Sequence, residues 1–174
     1  MLIHTLEIET PLGLMTGGAT AQGVCFIEFI DRIRLECELE RLKKELKAEL
    51  VPGENAHLIQ LRKELGEYFD RKRTDFTVQL HLTGTAFQQS VWDALCKIPY
   101  GKTWTYKQQA LHMENLPGIR AVAAANGQNK HAIVIPCHRV IGSNGSLTGY
   151  AGGLSKKEWL LRFEGMEYTP ELPF

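Results

Sequence analysis

The residues with the most chemistry in this chain fall within AIVIPCHRVIG, residues 132–142. An apolar run, residues 132–135, is expected to be a strand that runs into Pro136, with Cys137-His138 placed where the strand meets a turn. A cysteine attacks as its thiolate, so a base close to the sulfur decides whether the thiol is a nucleophile or an inert core group. An isolated Cys-His dipeptide is ordinarily the latter. In an extended segment successive side chains point to opposite sides, and His138 is therefore expected to reach the sulfur through a bridging water.

A second group of residues lies just upstream. Residues 105–112, a break at 115–118 and residues 119–126 read as two short helices joined by a turn, a helix-turn-helix candidate. Its second helix, IRAVAAAN, is poorly equipped to read base edges in the major groove, since Ala121, Ala123, Ala124 and Ala125 surround a single Arg120. Small side chains suit close approach in the minor groove, with Arg120 free to wedge into the base stack. Packing of the alanines against a neighbouring helix is the competing reading.

Several elements must hold these groups. Thr85 with Gln88, Thr105 with Gln108 and Ser155 with Glu158 have capping-box spacing, which places three helix starts. Phe87, Val91 and Leu95 are expected to face inward on the first, which ends before Pro99-Tyr100-Gly101. The N-terminal half has a different character. Residues 2–8 alternate as a strand, Gly13, Gly17 and Gly18 mark turns, and VCFIEFI from Val24 reads as a better buried strand. Leucines at 35, 39, 42, 46 and 50 form one helical stripe and Leu58, Leu61, Leu65 and Phe69 another, separated by Pro52-Gly53. Phe76, Val78, Leu80 and Leu82 alternate as a third strand. The expected fold class is α/β: a small N-terminal β-sheet with helices over residues 1–84, then a mostly helical domain over 85–174. The second domain holds the helix-turn-helix and a short strand leading into Pro-Cys-His-Arg-Val.

Composition limits the alternatives. With 174 residues, 44% hydrophobic and 23% charged, the chain can bury a substantial core, and it lies far from disordered or repeat compositions. No apolar run is long enough to span a bilayer and the N-terminus lacks a signal h-region, so an intracellular, cytoplasmic protein is expected. Cys25, Cys37, Cys96 and Cys137 form no Cys-x-x-Cys pair and are expected to be free thiols. Charge is balanced at 20 basic and 20 acidic residues, which argues against non-specific coating of nucleic acid. The balance is uneven along the chain: residues 1–84 carry 11 basic and 14 acidic side chains, leaving 9 and 6 for residues 85–174, so a polyanion would prefer the second half.

PCHRV preceded by IVI, followed by IGSNGSLTGYAGG and KKEWLLRFEG, strongly resembles the O6-alkylguanine-DNA alkyltransferases. The resemblance covers roughly residues 85–167 and includes IPYGKTWTY and IRAVAAANGQN at the correct distances. With no added regulatory module ahead of it, the chain looks most like the stand-alone bacterial type. The resemblance implies DNA repair by irreversible transfer of an alkyl group from guanine O6 to a cysteine, with thymine O4 open as a second source of the alkyl group, and with the protein consumed in one turnover. Carried over residue by residue, Cys137 is the acceptor, His138 the base acting through water, Glu164 the carboxylate that orients it, and Asn129 a turn residue bonding near the active loop. Tyr106 assists the leaving guanine and helps turn the nucleotide out of the duplex, Arg120 fills the vacated place, and Ala121 lies beside it against the minor groove. Val140, Tyr150 and Ala151 surround the flipped base, with the Ala151 amide as donor to O6. Trp92, Trp104 and Trp159 read as core. The expected partner is double-stranded DNA containing O6-alkylguanine, bound by a monomer, with no membrane and no cofactor. Some relatives hold zinc in the N-terminal region, but Cys25 and Cys37 lack a second pair of ligands at structural spacing, so no metal is expected.

Three other functions compete with this one. A non-catalytic alkyltransferase-like protein would flip damaged bases but lack the acceptor cysteine, which Cys137 argues against. A helix-turn-helix regulator would need a better-equipped recognition helix. A cysteine hydrolase would need an oxyanion site that the sequence does not display.

Overall fold

In the computed structural model, residues 1–165 are described, and they fall into two compact units. The first comprises Met1–Thr83 together with Lys130–Val134, and the second comprises Gly84–Asn129 and the chain from Ile135.

The first unit is built on a four-stranded sheet of order β3-β2-β1-β4. Strands β1 (Leu2–Thr10), β2 (Gly13–Thr20) and β3 (Gly23–Phe29) form an antiparallel meander, and β4 (Glu49–Pro52) adds in parallel to β1 with Leu2 opposite Glu49. Helix α1 (Leu35–Leu46) supplies the crossover that a parallel pair requires. Its leucine stripe stops at Leu46, because Lys47 turns left-handed and Leu50 belongs to β4, an element the periodicity had merged into the helix. Helix α2 (Ala56–Phe69), capped by the Asn55 side chain on Leu58 N–H, buries Leu58, Leu61, Leu65 and Tyr68.

Three expectations for this half are corrected. Gly17 and Gly18 lie inside β2 and mark no turn; the Phe26 ring covers Gly18 so closely that a Cβ there would overlap it. Residues 76–82 form no continuous strand. Glu64, buried on α2, accepts the N–H groups of Thr77 and Val78 at 2.9 and 3.1 Å, and only Leu80 bridges to Val24. The rest of the β3 edge is occupied by residues 130–132, which exchange bonds with Ile27 at 2.8 and 2.9 Å. For the same reason residues 132–135 are not a strand. After Ala132 the chain leaves the β3 edge in tight turns, with Ile133 at φ 71°, and the buried apolar run is a turn segment.

The second unit contains α3 (Ala86–Leu95), α4 (Tyr106–His112), α5 (Ile119–Gly127) and α6 (Leu154–Phe163), with β5 (Trp104–Thr105) paired in parallel to β6 (Val140–Ile141). The capping boxes at Thr85 and Thr105 are both formed. The third is not: α6 begins two residues early, with Gly153 at φ 100° as its N-cap, so Ser155 lies within the helix and Glu158 pairs with Arg162. On α3 the buried face is Val91, Trp92, Ala94 and Leu95, whereas Phe87, in the first turn, is exposed. The Trp92 indole donates to Ala125 O at 2.9 Å and ties α3 to α5. Trp104 and Trp159 are only half-buried, the latter stacked on Phe163.

Candidate active site

Pro136 is followed by a single 3-10 turn, Cys137–Arg139, in place of the expected extended backbone. Side chains therefore do not alternate across a strand here: Cys137 meets the Asn129 amide, while His138 and Arg139 both reach the Glu164 carboxylate. Cys137 is half-buried, and its sulfur accepts from Asn129 Nδ2 at 3.3 Å. The same Asn129 amide donates to Ile135 O at 2.9 Å, so it bonds both the sulfur and the backbone leading to it. Asn129 is held in turn by its N–H to Asn126 O, just beyond α5.

His138 is fully buried, with Nε2 2.9 Å from Glu164 Oε1. Arg139 reaches the same carboxylate with two bonds, Nε to Oε2 at 2.8 Å and Nη2 to Oε1 at 2.9 Å, and donates from Nη1 to Ile98 O at 2.8 Å. The loop of residues 98–101 passes against the end of α6, where a Cβ on Gly101, at φ 75°, would meet the Glu164 carbonyl at 2.9 Å. That contact is a physical reason for glycine in IPYG. Burial opposes ionisation of Glu164, but bonds from His138 and Arg139 outweigh it and hold the carboxyl at about 2. An ionised carboxylate only accepts hydrogen bonds, so Nε2 of His138 must carry the proton. Nδ1 is then a lone-pair acceptor, and it is buried with no hydrogen-bond partner among the described residues. Burial keeps the imidazole below its ordinary value against the opposing pull of Glu164, so it is neutral and able to take a proton.

Two further groups, not foreseen from the sequence, complete the site. Arg139 was read only as part of the motif. Lys157 on α6 is fully buried and donates to Thr148 O at 2.8 Å; burial lowers its ammonium to about 8, opposed by attraction to Cys137. The available signal was the inward stripe Lys157, Leu160, Leu161, Glu164, in which two ionisable residues share a face with leucines. Tyr106, the first residue of α4, donates its hydroxyl to the same Thr148 carbonyl at 3.0 Å. Along α5, Arg120, Ala121 and Ala124 are exposed on one face while Val122 and Ala125 are buried on the other. Val140 is buried in β6 opposite Trp104, Tyr150 is half-buried and Ala151 exposed. Among the described residues no three His, Cys, Asp or Glu side chains come together as a metal site, and no helix is long and apolar enough to cross a membrane.

A half-exposed thiol bonded by an amide and followed by a neutral histidine held by a buried carboxylate, in one unit with a helix-turn-helix that has a small-residue face, is the set of groups that a DNA-binding protein with a cysteine nucleophile requires. The family described as 6-O-methylguanine DNA methyltransferase, DNA binding domain, matches residues 86–166. A methylated-DNA–protein-cysteine methyltransferase of Methanosarcina barkeri is 41% identical over 90% of this chain and 94% of its own length. The inducible protein of that name from Bacillus subtilis is 40% identical over 84% of this chain and 81% of its own. The crystal structure of Mycobacterium tuberculosis OGT in complex with DNA superposes with a TM-score of 0.76 at 36% identity, covering 92% of both chains. The chain belongs to the family of methylated-DNA–protein-cysteine methyltransferases.

Proposed function

We propose that this protein repairs DNA by transferring the alkyl group of O6-alkylguanine directly and irreversibly to Cys137. The observation that carries the reading is the chain of bonds from Asn129 to the Cys137 sulfur and from Glu164 to His138, which leaves Nδ1 as a base. In the reaction the thiol proton passes through a water to His138, the thiolate sulfur bonds to the alkyl carbon, and the carbon–O6 bond breaks with its electron pair on guanine. Tyr106 supplies a hydroxyl proton donor to the leaving base. No turnover follows, because the alkyl carbon of a thioether is a poor electrophile, and no cofactor takes part.

The substrate is duplex DNA approached from the minor groove by the face of Arg120 and Ala121, with the damaged nucleotide turned out into a pocket walled by Val140, Tyr150 and Ala151. Within that pocket the Ala151 amide donates to O6. The same chemistry extends to O4-alkylthymine. The C-terminal domain, residues 85–174, carries binding and transfer, while residues 1–84 support it; residues 166–174 lie outside the described residues. The protein acts as a monomer in the cytoplasm, with access to chromosomal DNA.

Incubation with duplex DNA bearing a labelled O6-methyl group tests this reading. Label is expected on Cys137 in a ratio approaching one per chain. Label left on the DNA returns the protein to lesion binding alone, and label released into solution makes it a hydrolase.

A further inference from the structure

Two buried amides face each other between α4 and α5. Gln109 Nε2 donates to Asn126 Oδ1 at 2.9 Å, and Asn126 Nδ2 donates back to Gln109 Oε1 at 2.6 Å. Gln109 is 0% exposed and Asn126 6%, so neither amide has water as a ready alternative partner. Leucine-like side chains would fill the same interface without that requirement. A reciprocal pair adds direction: both bonds are good only at one separation and one rotation of the two helices. The remaining buried residues of these helices, Ala110, Val122 and Ala125, are small and non-directional.

The location of the pair gives that directionality a use. Gln109 lies one helical turn after Tyr106 on α4. Asn126 shares α5 with Arg120, and its carbonyl accepts the N–H of Asn129, the residue bonded to the Cys137 sulfur. A rotation of α4 against α5 would move Tyr106 relative to Arg120 and would pull on Asn129.

We propose that Gln109 and Asn126 are positioning residues for nucleotide extrusion, fixing α4 against α5 so that Tyr106 and Arg120 act on the same nucleotide. The inference rests on the flipping reading above. Neither residue touches the substrate; both act through the helices that carry the groups that do.

The test replaces the pair by apolar residues of similar volume, Gln109→Met and Asn126→Leu, singly and together. The readout is the rate of transfer from duplex DNA divided by the rate from a single-stranded oligonucleotide carrying the same lesion. Any unfolded fraction lowers both rates equally and cancels in that ratio. The single variants lose thermal stability, since each leaves one buried amide unpaired, and the double variant regains it. The ratio is expected to fall about tenfold in the double variant despite the recovered stability, because misplacement by a fraction of an ångström to an ångström penalises an aligned step heavily. A double variant with the wild-type ratio overturns the proposal, leaving the pair a packing feature. A wild-type chain that transfers from neither substrate overturns the parent reading and the pair's role with it.

Discussion

Glu164 receives charge-assisted or N–H bonds from His138 and twice from Arg139 in the interior, and several consequences follow at the scale of single residues. A carboxyl held at about 2 against an ordinary 4.5 contributes stability that is fully present above pH 4.5 and is lost as pH falls through 2. The difference corresponds to about 3 kcal/mol, so Glu164→Gln should destabilise by about that amount at pH 7 and by progressively less toward pH 2. Urea unfolding of both proteins across that range measures it. Transfer by Glu164→Gln should be slowed but not abolished, because a thiol of ordinary pKa keeps a few per cent thiolate at neutral pH. In the proposed relay the neutral form of His138 is the base, and burial holds its pKa below the ordinary imidazole value, so the wild-type rate should hold at neutral pH and fall only on the acidic side. A rate profile with its midpoint above 6.5 would remove His138 from the role. Cys137→Ser should abolish transfer and leave DNA affinity nearly unchanged, as read by labelled transfer and by titration. Cys96→Ala, at the exposed end of α3, should transfer normally.

At the scale of elements, α4 and α5 present Tyr106 and Arg120 from the starts of two helices. Filling the place of an extruded base offsets an unstacking cost of about a few kcal/mol that exists only in duplex DNA. Arg120→Ala should therefore slow duplex repair by about two orders of magnitude, single-stranded repair less, and reaction with free O6-alkylguanine least. Tyr106→Phe should impair all three, because the proposed proton donation to the leaving group is needed wherever the base comes from. Measured rates on the three substrates separate the two roles, and equal losses for Arg120→Ala on duplex and free base would make the arginine a structural residue. The 3-10 turn at Cys137–Arg139 belongs to this scale too, since Cys137 reaches Asn129 while His138 and Arg139 both reach Glu164 where the backbone is not extended.

For the whole molecule, the charge asymmetry and the phosphate backbone set the expected binding behaviour. Affinity should fall steeply as salt rises and depend little on sequence, since contacts to phosphates release counterions and the minor groove carries degenerate information. Titration of unmodified duplexes of unrelated sequence at several salt concentrations checks this, and dependence on one short sequence would point to a regulator. The two units share the chain in an interleaved way: residues 130–134 pack with the first unit, between Asn129 and Ile135 of the second.

Local patterns were enough to reveal much of this protein. The capping boxes at Thr85 and Thr105, the helix-turn-helix and the amphipathic α2 were legible because each depends on residues a few positions apart. The Pro-Cys-His-Arg-Val motif was legible as a pattern of types at fixed spacing. What required the tertiary structure was every decision made by distant partners. Residues 76–82 and 132–135 alternate or run apolar as strands do, yet one loses its backbone donors to Glu64 and both compete for the β3 edge. Gly17 and Gly18 resemble turn residues until Phe26 is seen lying over the strand. Ionisation states were hidden for the same reason. Glu164 is a carboxylate, His138 a neutral base and Lys157 a weakened ammonium because of burial and of partners on other elements, and no spacing along the chain encodes those distances.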